Sequence, residues 1–77
     1  MTVTDQQIGK RVRERRERRD FSQAQVAAAM NVKGFHTWTK VIVSRVELGT
    51  RALKLREAQA LCGDAILGCT LDELVAG

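Results

Sequence analysis

Apolar positions along this chain recur three and four residues apart, in short bursts divided by polar breaks, which is the spacing of helices that bury one face. Thr4 with Gln7 three residues on opens the first burst, and a helix over 5–19 follows with Ile8 and Val12 as its apolar stripe. Two apolar positions cannot hold such a helix alone, so it must dock on others, with Phe21 sealing the joint to the next. Ser22 and Gln25 repeat the start signal, and Val26, Ala27 and Met30 share a face of a second helix over 23–30, with Asn31 as its stop. A third helix is capped by Thr37 or Thr39 and ends at Leu48, with Gly49 as its left-handed cap. In it Val43 and Val46 face inward, leaving Lys40, Val41, Ser44 and Arg45 to face elsewhere. The fourth helix carries Leu55, Ala58, Leu61 and Cys62 on one face, continued by Ala65 and Ile66. Thr70-Leu71-Asp72-Glu73 opens a short fifth, with Leu71, Leu74 and Val75 apolar. The short β-branched run Val41-Ile42-Val43 lies inside a helical pattern, so the class is all-α.

The second and third helices share one buried seam and leave one face presented, the arrangement of a helix-turn-helix. The stretch between them, Val32 to Thr39, is longer than the roughly three or four residues such a turn needs. Something apolar must pin it, and Phe35 and Trp38 are the anchors, although either could instead touch a sugar or base surface. His36 has no carboxylate or cysteine at ligand spacing nearby, which leaves it as a turn or phosphate-facing residue.

Composition narrows the picture. Seventy-seven residues, 44% of them apolar, allow a single domain over 1–77 with one modest core, built of aliphatics and alanines. The net charge of +4 is unevenly placed: residues 1–20 carry +3, residues 21–54 carry +4 and residues 55–77 carry −3. The positive field thus covers the helix-turn-helix and fits a polyanionic partner. The charge run from Lys10 to Arg19 reads as a solvated face supported by Glu–Arg pairs, with a nucleic-acid patch as the other reading. No leader pattern and no stretch of ~20 apolar residues is present, so a soluble, cytoplasmic protein without membrane contact is expected. Cys62 and Cys69 read as reduced thiols, Cys62 in the core and Cys69 half-buried in a turn. With no facing carboxylates, Cys–His pair, phosphate loop or metal cluster, an enzyme is not expected.

The chain resembles the Xre or phage repressor/Cro type of helix-turn-helix DNA-binding domain. The resemblance is carried by Ile8-Gly9-Lys10-Arg11-Val12-Arg13, Arg16, Phe21-Ser22-Gln23-Ala24-Gln25-Val26-Ala27, Val43-Ser44-Arg45-Val46-Glu47-Leu48-Gly49-Thr50-Arg51 and Leu71-Asp72-Glu73-Leu74. It implies a compact five-helix, lambda-repressor-like all-α domain with its helix-turn-helix core at 22–49 and its third helix in the DNA major groove. Lys40, Val41, Ile42, Ser44 and Arg45 then correspond to base-reading positions, and Gln23, Thr39, Arg51 and Lys54 to phosphate-contacting ones. Arg16 and Glu47 correspond to a structural ion pair tying the first helix to the third. The implied partner is double-stranded DNA, bound by a two-fold homodimer on half-sites ~34 Å apart, with no cofactor, metal or small-molecule ligand.

Two departures from the family pattern set further expectations. About six extra residues precede the third helix, giving either an enlarged turn or an N-terminal extension that would carry His36, Thr37 and Trp38 into the groove. The segment Gly63 to Leu67 is also slightly long, which would displace the last helix and any dimer surface made by Leu67, Leu71, Leu74 and Val75. The expected function is that of a sequence-specific transcriptional regulator, a repressor of the kind found in phages and mobile elements. A protein-interaction module of the same fold, such as an antitoxin or coactivator, is the alternative.

Overall fold

The computed structural model describes residues 3–76, and among them five helices run in order: α1 (Asp5–Arg18), α2 (Gln23–Val32), α3 (Lys40–Leu48), α4 (Leu55–Leu61) and α5 (Leu71–Val75). Three of them start on reciprocal caps. The hydroxyls of Thr4, Ser22 and Thr70 accept from the amides of Gln7, Gln25 and Glu73, whose side chains accept in return from the capping residue's amide. Thr39 caps α3 by accepting from the Ile42 amide at 3.4 Å, and Gly49 closes it at φ 77°.

α3 is the hub of the packing. α1 and α2 both lie against it, and α5 lies against α1. Val12 of α1, Val26 and Met30 of α2, and Val43 and Val46 of α3 are fully buried together with Leu61, Ile66 and Leu74. At the crossing of α1 and α3 the side chain is a hydrogen: a Cβ on Gly9 would stand 2.6 Å from the Glu47 carbonyl oxygen and closer still to that of Val46.

The extra residues before α3 lie in the turn and do not lengthen that helix, which starts at Lys40. Asn31 is the reason that the turn is ordered. It does not stop α2, which runs on to Val32; its side-chain amide donates to the carbonyls of Phe35 at 2.8 Å and Trp38 at 3.0 Å. Trp38 is buried and Phe35 half-buried against the same core, while His36 and Thr37 stay exposed.

α4 buries most of the face expected of it: Ala58, Leu61 and Ile66 are buried and Cys62 is half-buried against the core. Leu55, at 63% exposure, and Ala65, in the exposed turn beyond the helix, depart from it, and Glu57 is buried as the polar partner of Trp38. The charge run on α1 is also more than a solvated face. Arg13 does pair with Glu17 one turn on, but Arg11 donates to the Leu74 and Ala76 carbonyls and Arg15 pairs with Glu73, so the run fastens α5 to α1. The sulfurs of Cys62 and Cys69 lie 3.8 Å apart as free thiols, and burial, then the neighbouring Cys69, pushes the Cys62 thiol up to about 12.

Candidate nucleic-acid interface

Nine residues of α3 divide by angle into two sets. At ~100° per residue, Ile42, Val43, Val46 and Glu47 fall on one side, and Lys40, Val41, Ser44, Arg45 and Leu48 on the other. The burial follows this division. Val43, Val46 and Glu47 are buried, Ile42 and Ser44 are half-buried, and Lys40, Val41, Arg45 and Leu48 are exposed. Ile42 packs against the core, so its expected place among base-reading residues is corrected: it is a border residue of the seam. Val41 and Leu48 are 50% and 63% exposed.

The one acid of α3 is turned away from this face. Glu47 accepts from Arg16 at 2.7 Å and 3.1 Å, a bidentate pair, and from the side-chain amide of Gln23 at 3.1 Å. Arg16 also donates to the Phe21 carbonyl at 2.8 Å, so a single buried cluster ties α1, the start of α2 and α3. The hydrogen bond to Glu47 raises the Arg16 guanidinium further above its ordinary value, against the opposing effect of burial. Gln23, expected to clamp a phosphate, places one side-chain N–H on Glu47 and has a second N–H beyond it. The expectation missed this because a helix-opening glutamine gives no local sign of a partner twenty-four positions on.

A second cluster corrects the reading of Arg51. Its guanidinium donates to both Glu57 oxygens at 3.2 Å and 2.9 Å and stacks over the Trp38 ring at 5.5 Å, so it is held inside the fold rather than offered to a phosphate. Glu57 also accepts from the Trp38 indole at 3.0 Å and the Lys54 amide at 2.9 Å. Sequence reasoning missed Glu57, although its place three residues into a helix was the available signal. Thr39 caps α3 through its hydroxyl oxygen and retains its O–H as a donor. Among the described residues, no carboxylate lies within ion-pair distance of Lys40, Arg45 or Lys54.

Glu57 makes the fold sensitive to acid. Burial alone pushes its carboxyl up, but the bonds from Arg51, the Lys54 amide and Trp38 outweigh it and hold it below its ordinary value of 4.5. A carboxyl depressed in the fold stabilises it above the unfolded value and loses that contribution as pH falls through the folded one. Melting temperature is therefore expected to fall as the pH drops below about 4.5. Glu57→Gln, which has no proton to take up, is expected to melt below the wild type at pH 7 and to close that gap towards pH 3. A gap independent of pH would refute the assignment.

The two packed helices with one face presented and the acid turned inward have the arrangement of a helix-turn-helix. Comparison with protein families agrees: the family described as Helix-turn-helix domain matches residues 7–76. The chain belongs to this family, within the Xre/Cro-like helix-turn-helix superfamily. No curated protein and no solved structure matches the chain. Membership makes it a DNA-binding regulator of the general helix-turn-helix kind, a class typically without enzymatic activity. Among the described residues no helix is long and apolar enough to cross a membrane.

Proposed function

We propose that the chain is a sequence-specific, double-stranded DNA-binding transcriptional regulator that sets α3 in the major groove and reads bases with Lys40, Val41, Ser44 and Arg45. The observation that carries this reading is the division of α3, with its cations and an exposed valine on one side and its only acid neutralised on the other. Arg45 and Lys40 have the donors for guanine edges, and Val41 the surface for a thymine methyl. Thr39 at the N-cap of α3 and Lys54 at the N-cap of α4 supply phosphate contacts, and the Gln23 backbone amide at the positive end of α2 supplies a third.

The protein works in the cytoplasm as a repressor of the phage Cro type, on a palindromic operator. Its two-fold dimer forms on the DNA. Leu67 and Leu74 are consumed by the protomer's own core, so of the four apolar residues expected to form a dimer surface, Val75, at 39% exposure, and half-buried Leu71 remain for a second copy.

Fluorescence anisotropy over a salt series tests the proposal, using the best site from an unbiased selection and a random duplex. Arg45→Ala is expected to reduce the ratio of selected to random affinity about 10- to 100-fold. Lys54→Ala is expected to weaken both alike and to lower the salt slope by about one. If no sequence is preferred, or if Arg45→Ala leaves the ratio unchanged, the chain does not read DNA through α3 and the protein-interaction reading takes its place.

A further inference from the structure

The enlarged turn does not merely space two helices. With the start of α4 it lines an open cavity of about 690 Å³, bounded by residues 33–37 on the turn and by Arg51 and residues 54–57. Lys33, His36, Lys54 and Arg56 line it, and all four are exposed. Among the described residues no carboxylate lies within ion-pair distance of Lys33, Lys54 or Arg56. The only acid on its walls is Glu57, whose charge is already met by Arg51, Trp38 and the Lys54 amide. The cavity therefore presents positive charge without a compensating anion of its own. The turn is also held in shape: the entropy lost in ordering its backbone is opposed by the two Asn31 hydrogen bonds and the buried Trp38.

We propose that this cavity is a phosphate-binding shelf and that its occupant is the DNA backbone just outside the half-site read by α3. The inference rests on the DNA-binding reading above and extends its footprint. Two features favour the backbone over a free phosphorylated small molecule. One wall leads directly into the N-cap of α3 and the other follows its C-cap, so both are continuous with the groove-reading helix. The cavity is also open, and Lys33, Lys54 and Arg56 on its walls are all exposed, which suits a run of phosphates rather than a single enclosed one.

The test uses the double variant Lys33→Ala, Arg56→Ala and the single variant His36→Ala, each checked by melting, against the whole chain. Two duplexes carry the same selected site, one ending at the half-sites and one extended by about five base pairs at each end. Wild type is expected to bind the extended duplex at least 10-fold more tightly. The double variant is expected to lose that gain, lower the salt slope on the extended duplex by about two, and keep the wild-type ratio of selected to random affinity. His36→Ala is expected to lose part of the gain. If wild type binds its site selectively but gains nothing from the extension, or the double variant keeps the gain, the shelf is overturned while the α3 reading stands. If wild type prefers no sequence on either duplex, both fail together. A separate titration of the DNA-free protein with inorganic phosphate, followed by backbone amide shifts, distinguishes the source. Saturable shifts at residues 33–37 and 54–57 at low millimolar phosphate, with no gain from the extended duplex, would assign the cavity to a free phosphate compound and overturn the DNA assignment.

Discussion

Trp38→Ala is expected to cost about 3–5 kcal/mol of stability, the range for emptying an aromatic site in a core. For 77 residues the whole stability should be roughly 4–12 kcal/mol, so this one change takes the chain to the edge of unfolding. Three losses coincide. The ring is 3% exposed and packs with the seam of α2 and α3; its indole N–H is one of the donors satisfying Glu57; and its face carries the Arg51 guanidinium at 5.5 Å. Trp38→Phe separates them, since it keeps most of the volume and lacks the N–H, and should cost about 1–3 kcal/mol. Urea denaturation followed by far-ultraviolet circular dichroism measures both, and a loss below about 1 kcal/mol for Trp38→Ala would show that the turn is not anchored through this residue.

Gly9→Ala is expected to be the next most damaging change, although alanine favours a helix over glycine by about 1 kcal/mol. The new methyl would meet the carbonyl oxygens of Val46 and Glu47, the second at 2.6 Å, and backbone atoms have no rotamer by which to move aside. α1 and α3 must separate, and with them the bidentate pair of Arg16 and Glu47 at 2.7 Å and 3.1 Å. A net loss of about 2–3 kcal/mol, a fall in melting temperature of roughly 10–20 °C, and weaker operator binding are expected together. A melting temperature within a few degrees of wild type would mean that the helices do not cross this closely.

The helix starts were legible because a cap is local: Thr4, Ser22 and Thr70 each have their partner three residues on. The seam of Val26, Met30, Val43 and Val46 was legible for the same reason of short-range periodicity. What the sequence concealed depends on distant pairing. Arg51 is indistinguishable from a surface cation until the chain brings Glu57 and Trp38 against it. Seven residues are too few for periodicity to fix the edges of the buried face of α4, where Ala58 and Leu61 face inward as expected but Glu57 is buried and Leu55 is not. Asn31 looked like a helix stop because asparagine so often is one, yet its side chain reaches forward to organise the turn. On the candidate interface, Lys40, Val41 and Arg45 lie where the pattern put them, while Ile42, Gln23 and Arg51 have partners within the fold.

The separation of α3 into an inner and an outer set also bears on how this protein could change its target. Lys40, Val41 and Arg45 are exposed, outside the apolar core, and their side chains make no hydrogen bond or ion pair among the described residues. Stability is charged instead to Val43, Val46 and Glu47, which face the other way. Substitution at the outer positions is therefore nearly free of folding cost, within about half a kcal/mol each. A library randomised there would keep the fold in most of its members, and a lineage could drift to new operators one residue at a time without first acquiring a more stable scaffold.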